Sequence, residues 1–376
     1  MFFKKIAFGV SLLLLLLPLV ETELKIFNSA GLKGAFFPKA KPVLNDSDWF
    51  SGDYQKKAEE YLTDTVGFRN VLVRLNNQID YSLYEKLHAY DIVVGKENSL
   101  QATTHFDAYL GKLRIPHVAF DTMSYKLSRL QDTLKKLNKF LFFIIAPSKG
   151  SYDIERAPYW YNAKKEGRSF YEEITENFDK RNVDYLDFNT IFLSGKKSSN
   201  KRKAYTDYGI HWASHNGAWA FDTILRYIES RSVYTDLPKI ENISYVEIDT
   251  ALQMDVDLTS SLNLMFPYKF SHKFYDCRFD VRKTSENKVN LMIISDSYYG
   301  LFNSFGMADH TFDTYSYWYY FKTVYKKNDP NSYQSNALDL KSEIDKTNVI
   351  FILATFTNLD MPGWGFIDKA YSLYFP

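Results

Sequence analysis

LSRLQDTLKKLNKFLFFIIAP, residues Leu127–Pro147, sets the fold class. Leu127, Leu130, Leu134 and Leu137 recur at the three- and four-residue spacing of one helical face, so the first part is expected to be a helix with an apolar stripe. Phe140–Ala146 then runs without a polar residue as far as Pro147. The run is short for a helix and shows no alternation, which is how a strand covered on both faces reads. A helix that feeds directly into such a strand is one unit of a parallel sheet.

Outward from this stretch the pattern recurs. A helix over about 169–180 precedes a strand at Val183–Phe188, and a helix over about 215–230 follows a loop at Thr206–Trp212. Val289–Ser295 and Val349–Ala354 are two more strands of the buried type. The expected fold is therefore α/β, a mainly parallel sheet flanked by helices, with the site at the carboxyl ends of its strands. Between the His211 region and Val289 the pattern changes to short β-like pieces, Tyr245–Asp249 and Cys277–Arg282, so a β-rich insertion is expected over about 236–285. Upstream, Phe68, Leu72, Leu75, Ile79 and Leu83 share one face of an expected helix, Thr65–Lys86, and Asp91–Val94 reads as a short strand stopped by Gly95.

At the N-terminus Lys4 and Lys5 precede an uncharged run, Ile6–Val20, which ends at Glu21 and Glu23. This is the charge order of an export segment that leaves the bulk of the chain outside the cytoplasm. Residues 1–22 are expected to be a signal peptide or a membrane anchor. Val20-Glu21-Thr22 is a poor cleavage sequence, which favours an anchor in the inner membrane and a periplasmic location. Residues 23–45 read as a linker and 46–376 as the main domain.

The formal net charge is +1 and the basic residues form no long run, so nothing points to nucleic acid as a partner. Lys196, Lys197, Lys201, Arg202 and Lys203 cluster in a Ser/Asn-rich stretch that reads as a solvated loop. The single cysteine, Cys277, excludes an intramolecular disulfide and a multi-cysteine metal site; no metal and no cofactor are expected. Aromatic residues make up 17% of the chain, with 29 Tyr and 30 Phe. Such side chains serve cores and also surfaces that stack on sugar rings.

Two positions can carry chemistry. Ser297, in Ser295-Asp296-Ser297-Tyr298-Tyr299, lies on the turn just past a buried strand, where a hydroxyl is exposed beside backbone N–H groups. His211, in Gly209-Ile210-His211-Trp212, lies at a loop-to-helix junction and suits a general base, with the Trp212 indole expected to hold its ring. Taken alone, each has a plain structural reading as a turn serine or a packed histidine.

Together with Asp255-Val256-Asp257-Leu258 and Leu262-Asn263-Leu264, these segments occur in an order that resembles the SGNH-hydrolase-like alginate O-acetyltransferases of the AlgX/AlgJ family. Gly95-Lys96-Glu97-Asn98-Ser99-Leu100 and Ala146-Pro147-Ser148-Lys149 are similar to two further stretches of that family. The resemblance covers roughly residues 46–370. It implies Ser297 as nucleophile, His211 as general base and the Ser297 backbone N–H as an oxyanion donor, to which Asn358 is added on its position alone after Val349–Ala354. Asp296 is expected to shape the turn, and Trp212, Tyr298 and Lys149 are expected to bind substrate.

The family usually carries an acid two residues before the histidine, where this chain has Gly209. A glycine cannot orient an imidazole, so Asp207 is the expected replacement. The resemblance implies acetyl transfer to an extracytoplasmic polysaccharide, with an MBOAT-type membrane acyltransferase as the acetyl source. Two alternatives stand beside it: a non-catalytic polysaccharide-binding or assembly subunit whose site has lost its acid, and a carbohydrate esterase.

Overall fold

The computed structural model describes residues 2–27, 29–34, 39–113, 117–197, 203–283 and 288–376. Part of the expected 23–45 linker and residues 198–202 of the basic stretch lie outside these. Eleven strands are present among the described residues: β1 (Ile92–Val94), β2 (Leu100–Ala102), β3 (Phe140–Ala146), β4 (Tyr185–Asp187), β5 (Lys239–Ile248), β6 (Phe274–Arg282), β7 (Asn290–Ser295), β8 (Thr314–Tyr319), β9 (Thr323–Lys326), β10 (Ser332–Gln334) and β11 (Val349–Thr355). The chain divides into two compact units, Met1–Ile92 with Leu258–Phe270, and Val93–Asp257 with Ser271–Pro376. The stretch 46–376, read as one domain, is thus spread over both.

In the first unit, helix Phe2–Leu24 is long and apolar enough to cross a membrane. Its end is fastened: the Glu21 carboxylate accepts from the N–H groups of Ile26 and Phe27 at 3.1 and 2.9 Å, and the Gly67 N–H donates to Thr22 Oγ1 at 2.7 Å. The expected Thr65–Lys86 helix runs over Arg69–Tyr84, because Phe68 takes a left-handed conformation with φ 61° and closes the preceding turn. Leu72, Leu75, Ile79 and Leu83 do share a face, but that face is exposed rather than buried.

The second unit holds the mixed α/β layers. Its central sheet has the order β10-β9-β8-β7-β11-β3-β4. From β8 to β4 every neighbouring pair is parallel, while β9 and β10 add an antiparallel edge. The doubly covered runs β3, β7 and β11 form its centre, in the register Leu353 beside Ser295 and Thr355 beside Ala146. Alternation sorts their side chains to two faces. Phe142, Ile144, Ile293, Phe351 and Leu353 pack with Phe221, Ile224 and Ile228 of helix Gly217–Arg231. Phe143, Ile145, Ile294, Ile350 and Ile352 pack with Leu127, Leu130 and Leu134 of helix His117–Lys136 and with Ile174 and Phe178 of helix Phe170–Arg181. Full burial of each such side chain stabilises by about 1.5–3 kcal/mol, so both faces of the sheet are strongly held.

The antiparallel edge differs from the sequence expectation. Thr314–Tyr319 mixes hydroxyl-bearing and aromatic residues and lacks the apolar run by which the central strands are read. The expected insertion is a long antiparallel hairpin, β5 on β6, with Tyr245 opposite Cys277 and Glu247 opposite Tyr275. Its connecting segment, from Asp249 to Lys273, carries Asp255 and Asp257. Because β3, β7 and β11 are parallel, Lys149, Ser297 and Asn358, which follow their last residues, come to the same edge of the sheet.

Candidate active site

Ser297 stands on the turn where β7 leaves the core. Asp296 builds this turn: its Oδ1 accepts from the Tyr298 N–H at 2.9 Å and caps the 3-10 turn Ser297–Tyr299. Its Oδ2 accepts from the Thr355 N–H at 2.7 Å and from Asn358 Nδ2 at 2.8 Å, which joins the turn to the end of β11. Asp296 is fully buried, and burial pushes its carboxyl above the usual carboxylate range, against the pull of Asn358 and the two N–H donors. The expected turn-shaping role of Asp296 has this hydrogen-bond basis.

His211 reaches Ser297 from a loop with no regular secondary structure, Thr206–His211. Its Nε2 is 2.9 Å from Ser297 Oγ. On the other side of the ring Nδ1 is hydrogen-bonded to Asp257 Oδ2, and Asp257 Oδ1 accepts from the Ile210 N–H at 2.8 Å. With a carboxylate on Nδ1, a neutral imidazole carries its proton there and turns the lone pair of Nε2 to the serine. Ser297, His211 and Asp257 thus form one continuous hydrogen-bonded line.

The carboxylate that meets the His211 ring is therefore that of Asp257 and not that of Asp207. Asp207 is buried in an ion cluster: it binds Arg156, lies 3.4 Å from Lys203 and 2.6 Å from His272 Nε2. Burial alone would raise its pKa, but Arg156, Lys203 and His272 outweigh it and hold the carboxyl down to about 2. A carboxylate so engaged does not serve the imidazole.

Gly209 explains the displacement. A Cβ there would collide with the Met254 carbonyl oxygen and press on Asp255. The segment that delivers Asp257 crosses where a side chain at 209 would sit. The position that lacks an acid is thus the position that admits one from elsewhere in the chain.

Three residues expected to bind substrate do other work. Trp212 is fully buried and donates from Nε1 to the Tyr298 carbonyl at 3.0 Å, packed against Phe188 and Phe302. Tyr298 is 2% exposed; its hydroxyl donates to the Ile210 carbonyl at 2.6 Å and its ring lies 4.8 Å from the His211 ring. Both brace the histidine instead of facing solvent. Lys149 is fully buried and donates to the carbonyls of Thr206 and Gly209 at 3.0 and 2.8 Å. Burial lowers its pKa to about 8, opposed by Asp153, Asp207 and Asp257. It fastens the His211 loop from beneath.

His105 lies close by, with Nδ1 3.1 Å from Ser148 Oγ. Burial, followed by repulsion from His211 and Lys149, depresses it to about 3, so it stays neutral under Lys149. Tyr320 was not singled out in the sequence. It stands in the β8–β9 turn with φ 49°, followed by Phe321 with φ 52°, a left-handed pair without glycine. Burial raises its hydroxyl, against hydrogen bonding to the side chains of Ser297 and Asn358. That brings Tyr320, Ser297 and Asn358 into one group. A non-glycine left-handed pair in a strand-to-strand turn leaves no mark in residue types, since Tyr-Phe is not a turn sequence.

No protein-family model matches the chain, and no curated protein matches it. Among solved structures, it is similar to the O-acetyltransferase domain of Pseudomonas putida AlgJ, with 13% identity over 75% of this chain and 99% of that one at a TM-score of 0.45. It is also similar to Pseudomonas aeruginosa AlgX, with 12% identity, 74% and 67% coverage and a TM-score of 0.45. A third is Bacillus cereus PatB1 carrying a sulfonyl adduct, with 12% identity, 73% and 97% coverage and a TM-score of 0.47. Two of the three bear the names of the family that the motifs resemble. At these scores the likeness is loose, and the chemistry of the site rests on the side chains of this chain.

Proposed function

We propose that this chain is an O-acetyltransferase that moves acetyl groups to hydroxyls of an extracytoplasmic polysaccharide through an acyl-enzyme on Ser297. The reading is carried by the Ser297–His211–Asp257 line at the carboxyl edge of the sheet. In the first half-reaction, His211 Nε2 takes the proton of Ser297 Oγ while Oγ bonds to the acetyl carbonyl carbon of the donor. Asp257 stabilises the imidazolium that forms. Collapse of the tetrahedral intermediate expels the donor's leaving group, which receives the proton from His211. In the second half, His211 deprotonates a sugar hydroxyl, that oxygen bonds to the acetyl carbon, and Ser297 leaves with the proton restored.

The developing oxyanion needs donors. The Ser297 backbone N–H and the Asn358 side-chain amide, fixed by Asp296, are the groups assigned to it. The N-terminal helix, long and apolar enough to cross a membrane, supports a chain held on the outer side of the inner membrane beside an MBOAT-type acyltransferase that supplies acetyl groups. The non-catalytic alternative rests on a missing acid, and the Asp257 carboxylate on His211 Nδ1 speaks for the catalytic reading instead.

The test uses the full chain in detergent with p-nitrophenyl acetate and an oligosaccharide. The expected result is one acetyl group on the Ser297 peptide that passes to the sugar, with neither event in Ser297→Ala. Release of acetate without an acetylated sugar would make the protein an esterase, and equal ester turnover in wild type and Ser297→Ala would end the catalytic reading.

A further inference from the structure

Beside the active site lies a second hollow that the reaction steps above do not use. It has a volume of about 730 Å³ and is walled by the loop Lys203–Tyr208 on one side and by the facing parts of β5 and β6 on the other. That size falls within the roughly 300–1,000 Å³ of cavities that take organic ligands. Its lining shares elements with the catalytic line: Tyr208 is in the loop that ends at His211, and Asp255 precedes Asp257.

The strand register decides which side chains face the hollow. Tyr245 opposes Cys277 and Glu247 opposes Tyr275, so with a period of two Tyr245, Glu247, Tyr275 and Cys277 share one face of the hairpin, Glu247 lying 3.9 Å from Lys273. Cys277 is buried against the body, whereas Tyr275 is 43% exposed. The His215 ring meets both tyrosines edge-on, at 6.2 Å from Tyr245 and 6.4 Å from Tyr275. Fixed in this way, Tyr275 offers an aromatic surface that the fold does not consume.

The charges around the hollow point to a neutral ligand. Asp207 is engaged by Arg156, Lys203 and His272. Lys273 is bound to Asp249. The Asp255 carboxylate accepts from the Ser214 N–H at 2.8 Å. Asp207 is thus shared by three basic groups and Asp255 meets a neutral N–H, so each of these side chains is already hydrogen-bonded or ion-paired within the protein, and what is left for a ligand is aromatic faces edged by polar groups. A sugar ring matches this, with C–H groups to lay on an aromatic face and hydroxyls for the polar edge.

We infer that this hollow is a binding subsite for uncharged sugar rings of the acceptor chain, with Tyr275 and Tyr245 as its stacking surfaces. The inference rests on the acyl-transfer reading for its purpose, because a polymeric acceptor must be held on more than the ring being acetylated. Its binding chemistry stands apart from Ser297.

The test is binding of the full-length Ser297→Ala chain in detergent to an array of neutral hexose, N-acetylhexosamine and uronate oligosaccharides. We expect binding to a neutral oligosaccharide that is insensitive to salt, falls about three- to tenfold in Tyr275→Ala, the scale of one aromatic contact, and is kept in Tyr275→Phe. Tyr245→Ala serves as the second stacking variant. Absence of binding to every neutral glycan, binding only to uronates with loss in salt, or equal binding by Tyr275→Ala would each overturn the subsite. Failure of acyl transfer is read separately, from the acetyl group on Ser297 of the wild-type chain.

Discussion

Compared with the turn that carries Ser297, the loop that carries His211 has little support from regular structure. The Ser297 turn follows a strand buried on both faces, and Asp296 fastens it to β11, two strands of one sheet. The Thr206–His211 loop has neither helix nor strand; Thr206 Oγ1 accepts from the N–H groups of Tyr208 and Gly209, and the rest of what fixes it comes from afar: Lys149 from the end of β3, Tyr298 from beyond β7, and Asp257 from the segment after β5. Ser297 is placed by the core and His211 largely by long-range polar contacts. Perturbations of the two ends should therefore differ in kind.

The largest effect is expected from Ser297→Ala, which removes the acyl acceptor and leaves the buried strand untouched. Ester turnover should fall by at least about 10⁴-fold, with an unchanged circular dichroism spectrum and melting temperature. Gly209→Ala comes next: its Cβ must displace Met254–Asp255 and with them Asp257, and a shift of about 1 Å is worth roughly 10²-fold in rate. A rate within threefold of wild type would show that the close approach at Gly209 does not position the acid.

Lys149→Met should act on the loop alone. The Thr206 and Gly209 carbonyls lose their buried donor, at about 1–3 kcal/mol for each group left without a partner. The expected outcome is a lower melting temperature and roughly a tenfold loss of rate, whereas a loop held by Tyr298 and Asp257 alone would leave both unchanged.

Asp207→Asn should have the smallest effect on rate, within about threefold, but a clear one on acid stability. In the folded chain Asp207 is held at about 2 against an ordinary value of 3.8. Its contribution is therefore fully present above 3.8 and is lost as pH falls through about 2. Denaturant titrations between these values should give a shallower pH dependence in the Asn variant; identical slopes would mean that Arg156 does not hold the carboxylate.

The same contrast explains what could be read from the sequence. Phe140–Ala146, Val289–Ser295 and Val349–Ala354 announce themselves because burial on both faces leaves an unbroken apolar run, and Ser297 is legible as the residue just past one of them. His211 is visible as a histidine in a Gly- and aromatic-rich loop. Asp257 stands in one of the segments that carry the resemblance, but its pairing with His211 is not legible, since it lies 46 residues away in a segment without periodicity. The close approach at Gly209 and the bonds of Asp257 to Ile210 and His211 show that the chain returns there. Trp212, Tyr298 and Lys149 were misread for one reason: residue type shows that a side chain can stack or donate, but not that a backbone carbonyl already accepts from it. The β8–β10 edge was missed because Thr314–Tyr319 is only partly apolar, and Tyr320 because its left-handed turn is imposed by the strands on either side.

The most direct measurement is a comparison of acyl-enzyme formation in Asp257→Asn and Asp207→Asn by rapid quench with p-nitrophenyl acetate. With Asp257 as the group that orients His211, Asp257→Asn should slow acylation of Ser297 by about 10⁴-fold, the scale on which loss of a triad carboxylate acts, while Asp207→Asn stays within about threefold of wild type. Equal rates in Asp257→Asn and wild type, or the large loss appearing in Asp207→Asn instead, would contradict the Ser297–His211–Asp257 assignment.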